Sequence, residues 1–221
     1  MGKHFAVIGD LKGSRQITNR AQAQREIKQA LEDINLAYPA CIVSKWTLTL
    51  GDEFQALLTP EDGMMRMLDE LMMRLHQYPF RLGIGYGDIS TEIDPHLSIG
   101  ADGEGFWRAR AAIDYVHGNG TGGMTSHFIG FGNLKDDVVN ALLESSDTIR
   151  DKWTALQKKT FHLMLKQGIY APVFEQHVFA ETIGISQSSL TKRLNASNIK
   201  QYIKLRNLIE TCFREWRDEH Q

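Results

Sequence analysis

The chain has 221 residues, 42% hydrophobic and 24% charged, with a formal net charge of −2, a balance that fits a soluble globular protein with one or two cores. No apolar run reaches bilayer length and no secretory h-region opens the chain; the two cysteines, Cys41 and Cys212, lie far apart without a CxxC. Together with eight scattered histidines that form no HxH or HExxH pair, this points away from a membrane span, a disulfide scaffold or a zinc site and toward the reducing cytoplasm.

In chain order, His4 to Asp10 is an apolar strand with an acid at its tip, followed by Leu11-Lys12-Gly13-Ser14-Arg15. Thr18 or Asn19 can cap a helix in which Ala23, Ile27, Ala30, Leu31 and Ile34 follow helical spacing, and Tyr38-Pro39 ends it. Strands at 41–49 and 54–58 flank Gly51-Asp52-Glu53, a hairpin. Thr59-Pro60-Glu61-Asp62 predicts the next helix start, with Thr as cap and Pro in the first turn, burying Met64, Leu68, Leu71, Met72 and Leu75. Residues 79–89 read as a strand whose Gly83, Gly85 and Gly87 leave one face bare, so a packed helix or a ligand must approach closely. A loop at 98–103, a helix from Glu104 to Val116, a glycine-rich turn at 118–123 and a last strand within 124–131 follow.

In a β-α-β-β order the first helix is a right-handed crossover. Strands one and two then run parallel with the third between them. Asp10 and Asp52 are thereby brought to the same end of the sheet, and two carboxylates there suit a divalent cation carrying a triphosphate.

From Leu134 onward the pattern is helical, which places a domain boundary near 133 and divides the chain into 1–133 and 134–221. Charge divides similarly: residues 1–150 carry 14 Lys/Arg against 20 Asp/Glu, whereas 151–221 carry 11 against 7. A basic last part suits a polyanion such as DNA. Within it, residues 180–194 read as a helix-turn-helix: small Ala180, Gly184 at the turn, Ile185 and Leu190 beneath, and Ser186 as cap. Gln187, Ser188, Ser189, Thr191, Lys192 and Arg193 are the outward residues, short polar groups for base edges and cations for phosphates. A final helix, 199–217, carries a stripe of Tyr202, Leu205, Ile209, Phe213 and Trp216, which predicts packing on the first domain or, more economically, a homodimer.

Leu50-Gly51-Asp52-Glu53-Phe54 resembles the signature hairpin of GGDEF diguanylate cyclases, and the element order resembles the palm-type core they share with class III nucleotidyl cyclases. Arg81 to Gly87 is similar to the cyclase strand after the hairpin helix, and Arg110 falls on the arginine of the cyclase Asn-x-x-x-Arg pair. Over nearly its whole length the chain most resembles the SatD family of bacterial proteins. The resemblance implies an α+β fold, a ferredoxin-like palm sheet followed by an all-α helix-turn-helix domain. It further implies Mg²⁺ or Mn²⁺ on Asp10 and Asp52 with Glu53 in support, a nucleoside triphosphate cradled by Leu11, Lys12, Gly13, Ser14, Arg15 and Gly51, and Asp10, Asp52 and Arg110 as the catalytic set. Leu50 replaces a glycine, Phe106 replaces the cyclase asparagine, and no Arg-x-x-Asp precedes the hairpin. The expectation is therefore a nucleotide- and metal-responsive DNA-binding regulator with a degenerate catalytic domain; the alternative is an active nucleotidyl cyclase or nucleotidyltransferase.

Overall fold

The computed structural model describes residues 2–49, 51–60, 63–119 and 124–219. Its centre is a five-stranded open sheet built from β1 (Lys3–Leu11), β2 (Ile42–Leu48), β3 (Glu53–Leu58), β4 (Phe80–Asp88) and β5 (Ser126–Ile129), in the order β2-β3-β1-β4-β5. β3 runs antiparallel to both β1 and β2, so β1 and β2 are parallel with β3 between them, as the crossover argument requires. β4 is antiparallel to β1, and β5 closes the other edge parallel to β4.

Alternation along β1 divides the side chains between two layers. Phe5 and Val7 join the larger core with helices α1 (Arg20–Ala37), α2 (Met64–Arg74), α4 (Asn133–Asp151) and α8 (Ile199–Asp218). Ala6 and Ile8 face the smaller core under α3 (Glu104–Asn119), with Phe106, Ala109 and Ile113. The bare face of β4 is where α3 sits. A Cβ at Gly83 would lie 2.1 Å from the Ala109 carbonyl oxygen, and one at Gly85 would lie 2.1 Å from that of Gly105. Glycine there lets helix backbone touch strand backbone. α3 continues through Gly118 and Asn119, which the composition assigns to a turn; residues 120–123 of that turn lie outside the described residues.

α1 begins where expected, Asn19 accepting from the Gln22 amide at 3.1 Å. α2 does not. It starts at Met64 behind Gly63, which is left-handed at φ 107°, rather than at Thr59-Pro60; Glu61 and Asp62 lie outside the described residues. The N-terminal amides of α2 are met instead by the Glu210 carboxylate of α8, which accepts from Gly63 at 2.9 Å and Met65 at 2.8 Å. A carboxylate at a helix N-terminus satisfies orphan donors and complements the helix dipole, which a threonine does only in part.

The remaining helices are α5 (Ala155–Lys166), α6 (Gln176–Thr182) and α7 (Gln187–Ser197). α5 opens with a reciprocal box, in which Thr154 accepts from the Gln157 amide and Gln157 accepts from the Thr154 amide. The predicted boundary coincides with the start of α4, yet the helices beyond it share the larger core with the sheet. The apolar stripe of α8 packs inside the chain: the Phe213 ring lies 4.8 Å from Phe5 and 4.9 Å from Phe128, and Trp216 meets Phe131 edge-on. Leu205 is only half-buried, and Ile203 joins the stripe in the core. This corrects the expectation that a second copy covers this stripe, because the sheet already does.

α2 and α8 are also joined by a buried polar knot. Asp69 accepts from Tyr170 Oη, Tyr202 Oη and Arg206 Nη2, each at 2.6 Å. Arg206 and Asp69 are buried. Burial alone would lower the Arg206 proton affinity, but Asp69, with Tyr202, Tyr170 and Asp147 behind it, more than reverses this, while burial and the Asp69 charge push both tyrosines up. Among the described residues no helix is long and apolar enough to cross a membrane.

Candidate functional site

The acidic sheet end is assembled by strand register. Asp10 stands opposite Glu53 on one side and Arg81 on the other. By alternation all three lie on the α3 face of the sheet. At the hairpin tip Gly51 is left-handed at φ 83°, and the Leu11 amide donates to the Asp52 carbonyl at 3.1 Å, tying the end of β1 to the tip. Asp10, Asp52 and Glu53 thus gather at one end.

Each carboxylate already has a partner. Arg81 donates to Asp10 at 3.3 Å, Arg110 makes two bonds to Glu53 at 2.6 and 2.8 Å, and Ser14 Oγ donates to Asp52 Oδ2. Burial raises the Asp10 proton affinity, the Asp52 charge raises it further, and Arg81 opposes both. The bonds to Glu53 hold Arg110 more firmly protonated. Arg110 therefore spends its donors on the hairpin; it does not stand free over a substrate, and Phe106 at the cyclase asparagine position is buried in the smaller core.

The loop after β1 differs from a continuous phosphate cradle. Leu11 is buried with its amide on Asp52, and the Lys12 amide donates to the Pro79 carbonyl at 2.7 Å, so both amides are used by the fold. The Lys12 side chain lines a recess with Phe80 and Arg150, and burial and neighbouring cations weaken its hold on a proton. Gly13 is exposed and left-handed at φ 65°, Ser14 is buried on Asp52, and Arg15 is exposed with no ion pair among the described residues. Leu50, at the position of the first glycine of the resembling hairpin, lies outside the described residues. Sequence reasoning did not assign Arg81 a site role. Its place in the same alternation as Gly83 and Gly85 puts it on the Asp10 face, which is the signal that finds it.

Among the described residues no three Asp, Glu, His or Cys groups gather to hold a metal ion. Two carboxylates are nevertheless what Mg²⁺ asks of a protein when it arrives with a polyphosphate that fills the rest of its octahedron. The raised Asp10 proton affinity comes first from burial and then from the Asp52 charge, and the second of these is a repulsion that a dication would relieve.

At the other end of the chain, α6 and α7 are joined by Ile183-Gly184-Ile185, with Gly184 at φ 70°. Ser186 caps α7, accepting from the Ser189 amide at 3.2 Å. Ala180, Leu190 and Leu194 are buried beneath the pair. Gln187, Ser188, Ser189 and Lys192 face solvent. Thr191 and Arg193 do not: both are half-buried, and Arg193 Nη1 donates to Thr160 of α5 at 3.0 Å. Position 193 falls three after Leu190 and next to Leu194, on the inward arc of the helix.

A family model described as SatD family matches residues 4–212. The chain belongs to the SatD family. No curated protein and no solved structure matches it. The SatD match runs from the first strand to the middle of α8, so it takes in both the acidic sheet end and the α6–α7 pair.

Proposed function

We propose that this SatD family member is a DNA-binding regulator in which α6 and α7 form a helix-turn-helix reader and the palm-like sheet end takes a nucleoside triphosphate with Mg²⁺ or Mn²⁺. The observation that carries the DNA reading is the outer face of α7. Gln187, Ser188, Ser189 and Lys192 are open to solvent while Leu190 and Leu194 anchor the helix beneath. An interaction used only for internal packing would bury that face. Lys192 then holds a phosphate, and Gln187 and Ser188 near the helix N-terminus reach base edges. Arg193 belongs to the scaffold and drops out of the contact set. Reading two half-sites takes a second copy, which would have to meet the first through a surface other than the α8 stripe.

At the sheet end, the bound metal would neutralise the phosphates and lower the barrier to their displacement. Asp10 and Asp52 are the residues to hold it, with Asp52 positioned by Ser14 and Asp10 by Arg81. Arg15 is the cation left for the phosphates. With Arg110 engaged on Glu53 and Phe106 in the core, stabilisation of a cyclising transition state lacks its donors, so the domain binds and responds but turns over slowly or not at all.

The deciding experiment is an anisotropy titration against DNA flanking its own gene over a range of salt. Lys192→Ala should weaken binding to all sequences and flatten the salt slope by roughly one phosphate's worth, about 0.9 in log–log slope. Gln187→Ala should relax sequence preference, and Arg193→Ala should act through stability alone. No binding at low salt refutes the DNA reading. Pyrophosphate release with ATP or GTP and Mn²⁺, abolished by Asp10→Ala, would replace the sensor reading of the sheet end with an enzyme.

A further inference from the structure

A second, larger concavity lies away from the acidic sheet end. α5 crosses above α1 and the end of α2, leaving a cleft of about 850 Å³. This is within the range of small-molecule sites, roughly 300–1,000 Å³. Ala155, Lys158, Lys159, His162 and Lys166 recur at helical spacing along the α5 wall. Opposite stand Ala30, Met73 and His76, an apolar floor with one more imidazole.

The charge in this cleft is unbalanced. The two acids lining it are already engaged: Glu26 accepts from Tyr78 and Gln22, and Asp33 accepts from Arg74 and Gln29. Arg74 is likewise used, by Asp33 and Glu70. Lys158, Lys159 and Lys166 have no ion pair among the described residues. His162 Nδ1 is buried without a hydrogen-bond partner, and burial together with Lys166 and Arg74 makes the ring harder to protonate. The recess holding Lys12 and Arg150 adjoins the cleft, the two sharing Met73, His76 and Lys158.

We infer that the α1–α5 cleft is a metal-independent binding site for a small polyphosphorylated ligand with an apolar or aromatic body, its phosphates held by Lys158, Lys159 and Lys166 and its body seated on Ala30 and Met73. Three ammonium groups without ion pairs among the described residues, lining one wall of the same cleft beside an apolar floor, suit a multiply charged anion better than a single carboxylate. A nucleic-acid backbone is the less suited occupant, because the charges line a cleft between two helices rather than an outward ridge. α5 also carries Thr160, the acceptor for Arg193 of α7, so one wall of the cleft is bonded directly to the α6–α7 pair.

The test is calorimetric titration of the full chain with ATP and, separately, with inorganic tripolyphosphate, at ~50 mM salt and with a chelator present so that metal-dependent binding at the sheet end is silent. Both probes should bind, ATP more tightly. Lys158→Gln with Lys166→Gln removes two of the three cations and should weaken both by about tenfold or more. Asp10→Asn and Asp52→Asn should leave both affinities within about twofold, since neither touches the cleft. The His162 imidazole resonances should shift on ligand addition. The inference is overturned if neither probe binds, if binding follows Asp10 and Asp52 instead of the lysines, or if the lysine substitutions alter DNA affinity while ATP leaves His162 unmoved. Because these substitutions are on exposed side chains, an unchanged circular dichroism spectrum shows that any loss is local.

Discussion

Replacing Asp69 by alanine tests what joins α8 to α2. The carboxylate accepts three hydrogen bonds, from half-buried Tyr170 and from Tyr202 and Arg206, all at 2.6 Å, and Asp69, Tyr202 and Arg206 are buried. Its removal strands a buried guanidinium, which typically costs about 3–5 kcal/mol, and leaves two tyrosine hydroxyls without acceptors at about 1–3 kcal/mol each, the second set overlapping the first as the site relaxes. Against a total stability of about 5–15 kcal/mol, a net loss near 4–5 is severe. With a urea slope of about 2–3 kcal/mol/M, the midpoint should fall by roughly 1.5–2 M. Asp69→Leu with Arg206→Met removes both charges and should cost clearly less than Asp69→Ala alone, because no ion is left stranded. Unfolding is to be followed by far-ultraviolet circular dichroism and by tryptophan fluorescence, since Trp153 packs 4.9 Å from Tyr202 and reports on this region. The two probes should give coincident transitions. A midpoint shift below about 0.3 M for Asp69→Ala, or a double variant as damaged as the sum of its parts, would refute the reasoning.

Gly85→Ala places a methyl group 2.1 Å from the Gly105 carbonyl oxygen and 2.3 Å from the Ala109 amide nitrogen, both backbone atoms. α3 must shift bodily, so thermal unfolding should show a loss at or above the ~1–3 kcal/mol usual for overpacking. Glu210→Gln keeps the acceptor and Glu210→Ala removes it; chemical denaturation should show a loss of about 1–2 kcal/mol for the alanine variant and less for the glutamine. Because the folded-state proton affinity of Asp10 is raised from its ordinary value of 3.8, its contribution to stability is full below that pH and is lost as pH climbs through the raised value. Asp10→Asn should therefore flatten the acid-side pH profile of the urea midpoint, and an unchanged profile would show that Asp10 is not the group responsible.

Much of the sheet was legible because its rules are local. The acid-tipped strand, the hairpin and the crossover fix the β2-β3-β1 order, and the three alternating glycines announce the α3 contact. The start of α2 was not legible, since Thr59 and Pro60 form a plausible cap and the acceptor actually used, Glu210, lies 147 residues away from Gly63. The acidic end was half legible: topology brings Asp10 to Asp52, but the pairing of Glu53 with Arg110 depends on the angle at which α3 crosses. Arg193 was misjudged by weighing its charge above its spacing from Leu190. The α8 stripe announces that it needs a cover, and of the two covers expected, the first domain or a second copy, the path of the chain supplies the first through Phe5 and Phe128.

That last contact sets an order of events during synthesis. Phe5 emerges from the ribosome well before Phe213, the ring that lies 4.8 Å from it, with the whole helical segment between them. Until then Phe5, Phe128 and Phe131 form an uncovered aromatic surface on a sheet whose strands are already made. The nascent sheet therefore spends the translation time of the whole helical segment in an aggregation-exposed state, and completion of α8 is the step that ends it.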